Sequence, residues 1–200
     1  MTPTIVAECE AIAVAAYVSR GLDPERPLPP GILCEKLFGT RPKRMAGLSR
    51  EGRMGIVRGE VWIYVRAGTN AARERFVLGH EMAHGLLGEH HSDANIALER
   101  RCDLLGSCLL VPRPAFELAF RRWGYAVYDL AHALSITQAS AMLRLGEVTG
   151  RSVRLLGPRE RFRGEPFDWP DVRKCLRGGC RSIAHPIKLV DERKWGMIAS

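Results

Sequence analysis

The chain has no long apolar run, and this absence argues against a membrane-spanning helix. Its longest purely apolar segment is the eight residues of Ala11–Val18, whereas a membrane helix needs about 20. Glu8 and Glu10 precede that segment, where a signal peptide would carry positive charge. We therefore expect a cytoplasmic protein that does not enter a membrane.

Cysteine is sparse and scattered. Without an export signal, a chain of this size has no oxidising compartment in which disulfides would form and persist. We expect buried thiols, and not a disulfide framework, at all six positions: Cys9, Cys34, Cys102, Cys108, Cys175 and Cys180.

The composition is that of an ordinary globular protein. Hydrophobic residues make up 46% and charged residues 26% of the 200 residues, which excludes wholesale disorder, collagen-like repeats and coiled-coil composition. The formal net charge is +8. Most of this charge lies in residues 151–200, which carry 12 basic against 6 acidic residues. Such a tail is either a solvated basic surface or a contact for nucleic acid or an acidic partner.

Local patterns predict an alternation of helices and one hairpin. An Ala-rich helix over Thr4–Ser19 and a short helix ending at Gly39 come first. Two β-rich runs flank the tight turn Arg58-Gly59-Glu60 and predict a hairpin whose outer strand is an exposed edge. Two further helices are predicted, one over about residues 71–87 with Asn70 as its N-cap, and one over about residues 95–110.

The third predicted helix carries an H-E-x-x-H motif, His80-Glu81-Met82-Ala83-His84. Residues four apart lie on the same face of a helix, so both imidazoles can bind one zinc ion. Glu81 can then face a zinc-bound water and take its proton. The motif predicts a zinc hydrolase, with Zn2+ as its cofactor.

A catalytic zinc site normally has a third protein ligand, for which two residues compete. His90 has the spacing of the metzincin motif, but that motif needs glycine at position 87, where this chain has Leu87. Glu99, on the next helix, is followed one turn later by Asp103, which could orient a ligand histidine from behind. The patterns favour Glu99 and leave His90 as the alternative.

Two segments together resemble the ImmA/IrrE family of metallopeptidases, over roughly residues 50–150. They are Arg75–Leu87, which contains the H-E-x-x-H motif, and Glu99–Pro112, which reads E-x-x-C-D-x-x-G-S-x-L-L-V-P. The resemblance implies that His80, His84 and Glu99 bind zinc and that Glu81 is catalytic. It also implies a protein substrate, namely a helix-turn-helix repressor of stress or mobile-element genes.

The chain departs from the family's pattern at two packing positions. Leu78-Gly79 stands where alanine or threonine-alanine usually precedes the first histidine, and the segment Leu104–Cys108 replaces an alanine/phenylalanine stretch. Because both are packing positions, the departures bear on the contacts between helices more than on the metal chemistry.

A second signal, Tyr128–Leu145, resembles a helix-turn-helix, although its turn has no glycine. We interpret it as a packing or substrate-recognition module in preference to a DNA reader. The predicted domains are therefore a metallopeptidase domain over 1–120, a helical module over 121–150 and a basic tail over 151–200.

The predicted fold class is α+β, with a zincin-like core in which a small, mainly antiparallel sheet packs on the H-E-x-x-H helix and the glutamate-bearing helix. The predicted function is zinc-dependent endopeptidase, with DNA at most a weak partner and the oligomeric state left open. Tyr125 and Tyr128 are candidates for a side chain that assists in stabilising the oxyanion. The alternative function is a DNA-binding transcriptional regulator with a structural zinc site.

Overall fold

The computed structural model describes residues 3–89, 95–149, 153–155 and 189–191. It is an α+β structure, and the described residues form seven helices, a three-stranded sheet and a separate two-stranded sheet. The elements are α1 (Pro3–Val18), α2 (Pro30–Phe38), β1 (Lys43–Met45), β2 (Gly52–Val57), β3 (Glu60–Arg66), α3 (Ala71–Leu87), α4 (Ile96–Leu110), α5 (Arg113–Trp123), α6 (Val127–Ala133), α7 (Gln138–Thr149), β4 (Val153–Leu155) and β5 (Leu189–Asp191).

The chain divides into two compact units, Met1–Phe116 and Glu117–Ser200. In the first unit, α3 packs against α4, against the hairpin of β2 and β3, and against α2, while α1 packs on α4. None of the helices described is long and apolar enough to cross a membrane.

The sheet of the first unit has the strand order β1-β3-β2. The hairpin is antiparallel as predicted, and its turn residues Arg58 and Gly59 both have positive φ, the conformation that a two-residue type I′ turn requires. The sheet as a whole is mixed, because β1 joins β3 in parallel. Strand β1 was not predicted, since its three residues are all exposed and show no apolar alternation.

The predicted helices of the first unit are confirmed to within about one residue at their ends. The helix α5 was missed, because Pro112 and Pro114 indicated only where α4 ends. Pro114 lies in the first turn of α5, where a missing backbone N–H costs no intrahelical hydrogen bond.

In the second unit, α6 and α7 pack against each other across a short turn. Ser135 has a φ of 53° and takes the positive-φ position that a glycine often fills in such turns. The backbone N–H of Ser140 donates to the Thr137 hydroxyl at 3.1 Å, which caps the start of α7. The helix contains a fully buried Arg144, whose guanidinium forms an ion pair with Glu147 at 2.9 Å.

The four described cysteines, Cys9, Cys34, Cys102 and Cys108, are buried free thiols, as expected. Cys175 and Cys180 lie outside the described residues.

Candidate metal centre

Helix α3 presents the two histidines of the motif to the same side. The helix begins where the Asn70 side chain accepts a hydrogen bond from the backbone N–H of Arg73 at 2.9 Å. It ends at Gly88, whose φ of 67° is the left-handed conformation of a helix C-cap. Between these ends, the imidazole rings of His80 and His84 meet edge to face, with centroids 4.8 Å apart.

Helix α4 brings a carboxylate to the two rings. Its start is fixed by Asn95, whose side chain accepts from the backbone N–H of Leu98 at 3.0 Å, and Glu99 therefore lies in the first turn. The Glu99 Oε2 atom lies 3.2 Å from His80 Nε2 and 3.6 Å from His84 Nε2. The two Nε2 atoms are 3.1 Å apart. The structure thus brings together three side chains of the kinds that can hold a metal ion.

The other nitrogen of each ring, Nδ1, has a hydrogen-bond partner outside the cluster of three side chains. His80 Nδ1 lies 2.8 Å from Asp103 Oδ1, and His84 Nδ1 lies 3.0 Å from the backbone oxygen of Glu89. Carboxylate and carbonyl oxygens accept hydrogen bonds, so each neutral ring carries its proton on Nδ1. The Nε2 lone pairs of both rings are then directed at the point where Glu99 Oε2 also lies.

This donor set fits a zinc ion. Zinc accepts imidazole nitrogen and carboxylate oxygen at about 2.0–2.2 Å in a tetrahedral arrangement. Ligand atoms on such a tetrahedron are about 3.3 Å apart, and the three separations here are 3.1, 3.2 and 3.6 Å. Among the described residues, three side chains meet in this way, which leaves a fourth tetrahedral position that none of them fills. The chemistry of the donors and their spacing therefore suit a divalent metal.

The two imidazoles differ in their affinity for protons. Burial opposes protonation of His80, but the hydrogen bond and charge of Asp103, with the charges of Glu81 and Glu99, outweigh it and raise its pKa. Burial and the neighbouring His80 lower the pKa of His84, which is fully buried. His84 is thereby kept in the neutral form that a metal requires.

Glu81 is buried beside this cluster and is not one of its ligands. Its residue is only 4% exposed, and its Oε2 atom has no hydrogen-bond partner among the described residues. Burial raises the pKa of its carboxyl group to about 7, against the opposing effects of the His80 charge and of the backbone N–H of Met54. A carboxyl group with this pKa can exchange a proton near neutral pH.

Helices α3 and α4 approach each other through two glycines. A Cβ atom built on Gly106 would lie 2.6 Å and 2.7 Å from the backbone C and O atoms of Gly79, and 2.8 Å from the backbone nitrogen of His80. Gly79 and Gly106 both lie in segments that depart from the family's pattern. In the structure, these two glycines make a backbone-to-backbone contact between α3 and α4, one residue before the first histidine. Sequence reasoning noted both positions but missed what they do.

A second close approach, also missed from the sequence, lies on the other side of α3. Gly52 of β2 faces Val77 and Glu81, and any Cβ there would overlap both side chains. A glycine within a strand is a signal that can indicate such a contact, although Gly55 of the same strand makes none.

The remaining sequence predictions for the site concern His90 and two tyrosines. His90 lies outside the described residues, so its competition with Glu99 is untested. Gly88, one position later than the metzincin motif requires, ends α3. Tyr125 and Tyr128 are exposed residues of the second unit, and their predicted role stays a prediction.

Residues 46–145 match the Peptidase M78 family, described as an IrrE N-terminal-like domain. No curated protein matches the chain. Among solved structures, a Mycobacterium tuberculosis transcriptional regulator is similar in fold, with a TM-score of 0.52 and 14% sequence identity. The similarity covers 78% of this chain and 49% of that one, so the chain spans about half the length of that protein. The family match covers half of the sequence and includes the whole candidate metal centre, and the chain therefore belongs to the IrrE N-terminal-like Peptidase M78 family.

Proposed function

We propose that this protein is a zinc-dependent endopeptidase with a zincin-like core. The observation that carries the proposal is the convergence of His80, His84 and Glu99 at one point, with the buried carboxyl group of Glu81 next to them. Three protein ligands with one open position are typical of catalytic zinc sites. Membership of a peptidase family supports the same conclusion.

In this mechanism, His80, His84 and Glu99 would hold the metal, and Asp103 would orient His80. Bound zinc supplies Lewis-acid chemistry, which acidifies water and polarises a carbonyl group. Glu81 removes a proton from the attacking water as the new C–O bond forms. It then donates that proton to the leaving amine as the peptide C–N bond breaks.

The edge strand β2 offers a way to hold an extended substrate. Arg66 N–H donates to Glu51 C=O, so in this register the odd-numbered β2 residues are the ones whose backbone groups hydrogen-bond to β3. Even-numbered residues of β2, among them Met54 and Ile56, then direct their backbone groups away from β3. Met54 N–H interacts with the Glu81 carboxyl group, and this outward edge therefore faces the catalytic carboxyl. A peptide that adds to the edge would pass close to the metal.

The proposed substrate is a helix-turn-helix repressor in the cytoplasm, cut at an exposed extended segment. This follows from the family resemblance together with the need for a chain that can pair with β2. The helix pair α6 and α7 forms a helix-turn-helix-like module, which we assign to packing or substrate recognition. DNA is at most a weak partner, attracted by the basic tail.

A DNA-binding regulator with a structural zinc site is the second candidate. It is favoured by the fold similarity to a protein described as a transcriptional regulator and by the basic residues 151–200. Structural zinc sites, however, are normally closed by four protein ligands, and the described residues bring together three. The buried carboxyl of Glu81 has no role in such a site.

The test incubates the zinc-loaded protein with a candidate repressor and examines the products by mass spectrometry. We expect two discrete fragments, which disappear with chelator or with Glu81→Gln. Glu81→Gln is the matched control, because it keeps the shape of the side chain and the zinc ligands. Tight, sequence-specific DNA binding by the zinc-free protein, with every candidate repressor left intact, would favour the regulator instead.

A further inference from the structure

Gly52 marks the point at which strand β2 lies directly on helix α3. A Cβ atom built there would overlap Val77 Cγ1 and would lie 2.7 Å from Glu81 Oε1 and 2.9 Å from Glu81 Cγ. Ordinary contacts of a Cβ atom are 3.4–4 Å long. Any side chain at position 52 therefore requires Val77, Glu81 or the strand itself to move.

The Glu81 side chain uses the space that Gly52 leaves. Its Oε1 and Cγ atoms both lie against the strand backbone, and the residue is 4% exposed. In the tightly packed interior around it, the side chain has few other rotamers to adopt. The location of the Glu81 carboxyl group thus depends on the absence of a Cβ atom at Gly52, which lies 29 residues earlier in the sequence.

We propose that Gly52 is a positioning residue that keeps the Glu81 carboxyl group at the place where it can act on the substrate water. This inference rests on the proposed peptidase function and adds to it a residue that no ligand motif contains. Gly52 neither binds the metal nor moves a proton. It acts through Glu81, and a methyl group at this position displaces the carboxyl group while the metal ligands stay in place.

The same strand supplies a matched control. Gly55 is three residues away on β2, and a Cβ atom built on it meets nothing within 4 Å. The substitutions Gly52→Ala and Gly55→Ala change the strand's backbone freedom in the same way. They differ in whether the added methyl group meets Glu81.

The activity test compares the two variants with wild type as zinc-loaded proteins, on the repressor that wild type cleaves. We expect Gly52→Ala to bind zinc with an affinity within about twofold of wild type, to lower kcat at least about 100-fold and to leave KM nearly unchanged. Gly55→Ala should keep both kcat and KM. A Gly52→Ala variant that alters only KM would overturn the proposal, because Gly52 would then act on substrate binding. Unchanged kinetics would overturn it as well.

The effect of the contact with Val77 must be separated from the effect of the contact with Glu81, because Val77 is the nearer of the two to a Cβ at position 52. In the double variant Gly52→Ala/Val77→Ala, the clash with the valine methyl group is relieved. We expect the double variant to recover thermal stability relative to Gly52→Ala and to remain low in kcat. Recovery of kcat together with stability would show that position 52 acts through Val77, which contradicts the proposal. If Gly52→Ala is insoluble, the double variant carries the kinetic test.

A readout that needs no activity separates this inference from the proposed function. In the Val77→Ala background, the loss of melting temperature caused by Gly52→Ala should be at least halved when Glu81 is also replaced by alanine, because the methyl group then enters vacated space. Equal losses in the two backgrounds would refute the contact with Glu81. If wild type shows no peptidase activity but this coupling is present, the proposed function fails and the positioning of Glu81 by Gly52 stands.

Discussion

Replacing Gly106 by alanine is expected to weaken zinc binding without removing a ligand. The added Cβ would lie 2.6–2.8 Å from three backbone atoms of Gly79 and His80. Backbone inside a helix cannot rotate away as a side chain can. Helices α3 and α4 must therefore separate by about 0.8 Å to restore an ordinary contact of 3.4 Å.

The separation acts on the contacts that cross between the two helices. The distance from His80 Nδ1 to Asp103 Oδ1 is 2.8 Å, and an increase of this size takes it to about 3.6 Å, beyond the limit of hydrogen bonding at about 3.5 Å. Loss of such a partner typically costs 10- to 100-fold in metal affinity. Overpacking costs roughly 1–3 kcal/mol, which the better helix propensity of alanine offsets by up to about 1 kcal/mol. The fold should therefore survive in Gly106→Ala.

The assay is competition for zinc with a chromophoric chelator at fixed pH, alongside thermal unfolding. Gly31→Ala is the control, since a Cβ on this helical glycine meets nothing within 4 Å. Gly79→Ala should have a smaller effect than Gly106→Ala. Its closest contact, at 2.8 Å, is with the end of the Leu110 side chain, which can move. Zinc affinity of Gly106→Ala within twofold of wild type would refute the idea that this glycine contact sets the distance between the metal ligands.

Three further predictions concern the site itself. Glu81→Gln should retain about one zinc per chain while hydrolysis falls at least about 100-fold; wild-type proteolysis by the zinc-loaded variant would disprove its role as a base. In metal analysis after dialysis, Glu99→Ala should have lost its zinc, His90→Ala should have kept it, and Asp103→Ala should fall between them. If instead His90→Ala lost zinc and Glu99→Ala kept it, Glu99 would be excluded as the ligand. In the zinc-free protein, burial raises the pKa of Glu81 to about 7 from 4.5, so the folded state holds the carboxyl proton more tightly than the unfolded state does. The stability that this proton binding contributes is fully present below pH 4.5 and is lost as the pH rises through 7. The difference in pH dependence of unfolding between wild type and Glu81→Gln should show this loss, and its absence would argue against a raised pKa.

Features that depend on neighbouring residues could be predicted from the sequence. Asn70 accepts the hydrogen bond expected of an N-cap, and the tight turn around Gly59 closes the hairpin. The four-residue spacing of His80 and His84 places their rings together, because helix geometry alone determines that relation. The candidate ligand Glu99 could be chosen because the helix that carries it was recognisable, and because Leu87 argued against the metzincin alternative.

Features that depend on distant residues could not be predicted in this way. Strand β1 has three exposed residues and exists only because β3 is beside it. The helix α5 was hidden because Pro114 indicates a boundary and does not reveal on which side of it the helix lies. The contacts of Gly52 and Gly106 involve partners 25 or more residues away in sequence. A single sequence contains no local signal for such partners.

The glycines around α3 explain why a site of this kind departs from good helix propensity. Glycine within a helix costs about 0.5–1 kcal/mol relative to alanine, yet α3 contains Gly79 and Gly85, and α4 contains Gly106. Gly79 and Gly106 admit the backbone of the opposite helix, and a Cβ on Gly85 would lie 3.0–3.1 Å from Phe38 and Val61. Metal coordination tolerates errors of only about 0.2 Å in ligand distance. Backbone-to-backbone contacts are stiffer than contacts through flexible side chains, so they can hold ligands from two helices at that precision, and the local loss of helix stability is what this rigidity costs.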